Sequence, residues 1–106
     1  MTAARVIERR LRSHRLSAPA STIAAAAEHM LATQAQEFWG GRWALAARTK
    51  GDPSVSAVDA AFGRGEIVRS WTMRGTIHAI PARDLAWVLS LTGERQSRAA
   101  AAVHRA

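Results

Sequence analysis

Cysteine is absent from this chain of 106 residues. That removes disulfides, thiolate chemistry and cysteine-based zinc sites together, and leaves nothing to argue for an oxidising compartment. Lysine is almost absent as well: of the 15 Lys+Arg residues, all but Lys50 are arginine, against only 8 Asp+Glu, for a formal net charge of +7. No stretch approaches the apolar length needed to span a membrane. Arg5, Arg9, Arg10, Arg12 and Arg15 crowd the N-terminus with no hydrophobic region behind them, so a secretory signal is not indicated. Glu8 and the Val6, Ile7, Leu11 spacing suit an ordinary amphipathic helix at least as well as a transit peptide. A cytoplasmic location is the expectation.

The usual chemical signatures are missing too. His14, His29, His78 and His104 show neither HExxH spacing nor a clustered carboxylate, so no metal is expected. There is no Gly-x-Gly-x-x-Gly after a strand, no Walker pattern and no Gly-x-Ser-x-Gly, which removes the common nucleotide-binding and serine-hydrolase readings. No cofactor is implied. Glu28-His29 and Glu37 could support acid or base work, but isolated carboxylates on helix surfaces are ordinarily solvated.

What is present is a hydrophobic share of 48%, enough for one domain with a modest core. The arginine excess suits a polyanionic partner, because the guanidinium fork matches phosphate. Arginine- and alanine-rich chains also arise from GC-rich genomes, so composition alone does not settle the partner.

The spacing predicts a first helix over Ala4 to Ser13 with Val6, Ile7 and Leu11 on its apolar side. A second follows Ser21 as N-cap, with Ile23, Ala26, Ala27, Met30 and Leu31 in a stripe. The pattern lapses at Gln34-Ala35-Gln36, then Trp39, Trp43 and Ala47 mark a third helix. Lys50-Gly51-Asp52-Pro53 reads as a turn. Ser56 and Asp59 suggest a capping box for a fourth helix, with Val55, Val58 and Phe62 inward and Gly65 as its left-handed C-cap. Ile67 to Met73 and Thr76 to Ile80 read as a hairpin turning at Arg74-Gly75. Pro81 opens a fifth helix with Asp84 in its first turn and Leu85, Val88 and Leu89 inward, stopping near Gly93. The expected fold is mainly α with a small β-hairpin: a winged helix-turn-helix domain with an added N-terminal helix and a C-terminal helix. Residues 1–93 are taken as the domain, and 94–106 as a helical tail that begins a further region.

In that arrangement the fourth helix takes the recognition position, and Arg64, Arg69 and Arg74, with Arg42 and Arg48, are candidate phosphate contacts. Trp39, Trp43 and Trp87 read as core from their helical spacing, while Trp71 on the hairpin does not resolve. The two glutamines at i, i+2 diverge on a helix but share a side of an extended segment. Only an extended backbone lets their amides converge on one ligand.

Several separated blocks resemble a known family. Arg15-Leu16-Ser17, Gln34-Ala35-Gln36, Trp43-Ala44-Leu45, Val68-Arg69-Ser70-Trp71, Met73-Arg74-Gly75-Thr76-Ile77-His78 and Pro81 occur in the order seen in bacterial winged-helix DNA glycosylases, which remove N-alkylated purines and unhook interstrand crosslinks. The resemblance runs from about Arg9 to Gly93. It implies that Gln34 and Gln36 are catalytic, with Ala35 the apolar residue between them; Arg64, Arg69, Arg74, Thr76 and His78 are the residues expected to meet double-stranded DNA from their place on the fourth helix and hairpin. It also implies tandem winged-helix modules, of which this chain matches the first. Without the resemblance, the glutamines suit hydrogen bonds to the hairpin or a helix cap better than catalysis. A plain DNA-binding regulator and a protein-interaction module stand as the other classes.

Overall fold

The computed structural model describes residues 2–105, with backbone alone for 103–105, so the side chain of His104 lies outside the described residues. The elements run α1 (Ala3–Ser13), α2 (Ile23–Met30), β1 (Thr33–Gln34), α3 (Phe38–Ala47), α4 (Val55–Gly63), β2 (Ile67–Met73), β3 (Thr76–Pro81), a 3₁₀ turn (Ala82–Asp84) and α5 (Leu85–Arg105). Among the described residues no helix is long and apolar enough to cross a membrane.

The wing is a three-stranded antiparallel sheet in the order β1-β3-β2. Ile67 pairs with Pro81 and Val68 with Ile80 at one end, and Thr33 with Ala79 and Gln34 with His78 add the third strand. Arg74 and Gly75 both have positive φ, 54° and 68°, as a tight hairpin turn of the type I′ class requires. A bulge interrupts the ladder between Trp71 and Met73. There Thr72 is fully buried, and its hydroxyl lies 2.8 Å from His78 Nδ1, so the bulge is closed by a satisfied polar pair.

The core is made where the helices meet the sheet. Ile23 and Ala27 of α2, Leu45 of α3, and Val58 and Ala61 of α4 pack on Ala35, Ile67 and Ala79. Leu45 and Ile67 are among the largest fully buried side chains, and burial of each contributes about 1.5–3 kcal/mol. The many alanines bring backbones close rather than filling volume. α5 packs against β2.

Local chemistry moves several boundaries. Thr22, not Ser21, caps α2 by accepting from the Ala25 N–H, and Leu31 leaves the stripe to become the C-cap at φ 63°. Ser54, not Ser56, caps α4, because its hydroxyl reaches the Ala57 N–H while Asp59 turns to Arg42. Gly65 ends α4 with φ 76°, and the Glu66 N–H donates to Ala61 O behind it, closing the helix as anticipated. Pro81 ends β3 instead of opening a helix, and a 3₁₀ turn precedes α5. α5 does not stop at Gly93 but continues to Arg105, since the alanine-rich stretch beyond it outweighs one glycine. Gln96 Oε1, on that continuation, accepts from the Gly75 N–H at the hairpin turn (2.7 Å). In α1 the apolar side exists but nothing buries it: Ile7 and Leu11 are 58% and 42% exposed.

One close approach positions the site. A Cβ placed on Gly41 would sit 2.8 Å from Ala35 Cβ and 3.1 Å from Ala35 Cα, so α3 and the segment after β1 meet almost backbone to backbone. Gly41→Ala is therefore expected to lower stability by about 1–3 kcal/mol through overpacking, despite alanine's better helix propensity. Gly40→Ala meets only the tip of the Glu37 side chain and should cost less. Urea unfolding of both variants checks this; a Gly41→Ala protein as stable as the wild type would show that the contact yields freely.

Candidate active site and nucleic-acid interface

The backbone of 33–36 is not helical. Thr33 and Gln34 form β1, the Ala35 N–H donates to Ile77 O (2.9 Å), and Gln36 lies in the bend before α3. Burial alternates accordingly: Ala35 is 1% exposed, while Gln34 and Gln36 are both exposed. The extended condition set by the i, i+2 spacing is met, and the two amides flank a buried alanine.

Their surroundings differ. Gln36 Oε1 accepts from the Ile77 N–H at 2.9 Å, and since that group can only donate, the contact fixes which end of the amide faces the hairpin. One lone pair on that oxygen and both Nε2 hydrogens are left to face outward. Gln34 makes no side-chain hydrogen bond among the described residues and stands opposite His78 in the ladder. Glu37 is occupied as the N-cap of α3, accepting from the Trp39 and Gly40 N–H groups at 2.9 and 2.6 Å. No free carboxylate adjoins the pair within this segment.

The basic residues divide by how their donors are used. Arg74 occupies the exposed hairpin turn with no hydrogen bond or ion pair among the described residues. Arg64, the C-cap of α4, pairs with Glu66 at 2.9 Å. This hydrogen bond, assisted by the attraction of opposite charges, holds the Glu66 carboxyl below its ordinary range and raises Arg64 above its own. Arg69 turns its Nε and one Nη onto Ala35 O and Gln36 O at 2.8 and 3.0 Å. Arg42 grips Asp59 at 2.9 Å, and Arg48 reaches Ala44 O. Thr76 donates its hydroxyl to Met73 O across the turn. His78, expected at the DNA surface, lies on the middle strand of the sheet and is instead 4% exposed and bonded to Thr72. The structure thus gathers the glutamine segment, Arg69 and the start of β3, and leaves Arg64 and Arg74 on separate elements.

The tryptophan expectation fails. Trp39, Trp43 and Trp87 are 58%, 69% and 46% exposed, and Trp71 is 54% exposed. Helical spacing placed Trp39 and Trp43 on one face but not on the inward face. Gly41 and Leu45, also four apart and both buried, lie about 200° around α3 and take the core side. Trp39 and Trp43 instead line a concavity of about 260 Å³ with Arg42, Pro53, Val55 and Val58. A signal was available in Gly41, whose lack of a side chain suits a helix face that touches backbone. Asp84 Oδ1 takes the Trp87 Nε1–H at 2.8 Å, which satisfies that ring at the surface.

Helical layer, hairpin and third strand together make this a winged-helix domain that carries two outward amides on an extended segment. The chain belongs to the AlkZ-like DNA glycosylase family, whose model matches residues 27–106. The match begins within α2, so α1 lies outside it. No curated protein and no solved structure matches the chain.

Glu66 competes intramolecularly for Arg64, and an exposed pair of this kind is easily exchanged for phosphate. Its carboxyl is depressed, so the pair is intact at neutral pH and is lost as pH falls through the lowered value. Glu66→Gln is expected to tighten duplex DNA binding and to steepen the fall of log K with log salt by about 1. Fluorescence anisotropy across a salt series measures this, and an unchanged slope would remove Arg64 from the phosphate contacts.

Proposed function

We propose that this chain is the DNA-binding module of a monofunctional DNA glycosylase that excises N-alkylated purines from double-stranded DNA, with interstrand crosslinks carrying the same linkage as further substrates. Gln34 and Gln36 are the catalytic residues in this reading. The observation that carries it is the extended segment that turns both amides outward on either side of buried Ala35.

The chemistry suits amides. Alkylation at purine N7 leaves the base cationic, so the N9–C1′ bond breaks with its electron pair passing to the base, which departs neutral. The sugar carries an oxocarbenium-like charge, water adds to C1′, and the water's proton passes to solvent. No strong base is required. A carbonyl oxygen directed at C1′ stabilises the developing charge, and a second polar atom orients the attacking water. Gln34 has its whole amide available for this, and Gln36 presents what the Ile77 N–H leaves free. Arg64 and Arg74 are proposed to position the phosphodiester backbone, and the protein to act in the cytoplasm where the DNA is.

A second reading has one observation in its favour. The Gln36–Ile77 bond is also what a purely structural glutamine would make, and a non-catalytic winged-helix DNA binder, with α4 in the major groove, would retain it.

Base release from duplex DNA containing N7-methylguanine separates the two. The wild-type chain is expected to release the base, and Gln34→Ala and Gln36→Ala each to slow release by about 100-fold or more at saturating DNA. Salt-sensitive DNA binding without release by the wild type would leave the non-catalytic reading standing.

A further inference from the structure

We infer that Arg69 is a positioning residue for the glutamine pair, and that its work is done on the backbone of 35–36 and not on DNA phosphate. The inference rests on the glycosylase reading for its consequence, but its geometry is independent of that reading. Arg69 sits on β2, at the opposite edge of the sheet from β1, paired with Ala79 on the middle strand. Its side chain crosses the middle strand, where Ala79 presents only a methyl group, and forks onto two successive carbonyls. Nε donates to Ala35 O at 2.8 Å and Nη2 to Gln36 O at 3.0 Å.

The location of those carbonyls gives the contact its meaning. The register of β1 ends at Gln34 and α3 does not begin until Phe38, so, beyond the bond from the Ala35 N–H to Ile77 O, the carbonyls of 35 and 36 lie past the end of the ladder. Arg69 supplies the missing partners from across the sheet. The guanidinium also lies over the Phe38 ring, 4.8 Å from its centroid, at the first residue of α3. Arg42 lies over the same ring at 4.7 Å, and its charge is neutralised by Asp59. Gln36 is consequently held twice: its main-chain oxygen by Arg69, and its side-chain oxygen by the Ile77 N–H. A residue held at both ends loses the freedom that would otherwise have to be frozen in the transition state. Lysine cannot replicate this, because a single ammonium lacks the planar fork that spans two acceptors.

The test compares Arg69→Lys and Arg69→Ala with the wild-type chain, using the N7-methylguanine duplex, a salt titration of binding, and hydrogen exchange at the Ile77 amide. Both variants are expected to lose about 100-fold in single-turnover base release at saturating DNA. DNA affinity and salt slope should stay at wild-type values, and Ile77 should lose protection. The lysine variant keeps the charge and the apolar stem, so it carries the test if the alanine variant does not fold. A salt slope smaller by about 1 with full release at saturation would make Arg69 a phosphate contact and overturn the inference. Full activity in the lysine variant would overturn it too, since charge alone would then suffice. If the wild type releases no base, the glycosylase reading fails by itself and the Ile77 amide decides: lost protection in the lysine variant supports the positioning role, and retained protection overturns it.

Discussion

The contact between Ala35 and Gly41 is the constraint from which the rest of the site follows. A helix and a strand segment can approach this closely only if one side gives up its Cβ and the other keeps it small. Once Ala35 is seated there, its neighbours on an extended backbone must turn the other way, and both are glutamine. The same seat aligns the Ala35 N–H with Ile77 O, which attaches the segment to the hairpin. A larger residue at either position would separate α3 from the sheet and release the segment from its extended path.

The layout of elements was legible because each carries its own local signal. Ile67 to Met73 is found as anticipated, Gly65 follows the α4 C-cap in the left-handed region, and the extended glutamine segment is present. Cap positions slipped where two hydroxyl residues stood close together, as with Ser21 and Thr22 or Ser54 and Ser56, since only three-dimensional geometry decides which oxygen reaches the free N–H. The tryptophans misled for a related reason: periodicity reports that residues share a face, and a small-residue face competing for the core is nearly silent in a hydrophobic pattern. The addition of β1 as a third strand was not legible either. Two paired residues leave no alternation long enough to read.

Charge is distributed less freely than a net +7 suggests. Arg42 is held by Asp59, Arg64 by Glu66, Arg83 by Glu28, and Arg69 by two main-chain oxygens. These differ in how readily they would turn to a phosphate. The Arg64 side chain is 58% exposed and its pair is exchangeable, whereas that of Arg42 is 19% exposed and stacked on Phe38. Sequence counts all of these guanidiniums alike; the fold assigns some to its own architecture and leaves Arg74 at the hairpin turn without a partner among the described residues.

The hairpin therefore serves two tasks with one backbone. Its turn carries Arg74 and Gly75, and three residues from Arg74 the Ile77 N–H holds the Gln36 amide. Gln96 of α5 restrains the same turn through the Gly75 N–H. Arg74 at the turn and Ile77 on β3 are thus joined by a short stretch of one strand, while the bulge at Thr72 bends the outer strand. In the glycosylase reading, this links how the wing settles on the duplex to where the Gln36 carbonyl stands relative to the sugar. An amide is a weak catalyst whose value lies in placement. Such a site gains more from a backbone that fixes its orientation than from a stronger base, and the arrangement around Gln36, bonded at its main-chain oxygen and again at its side-chain oxygen, has that character.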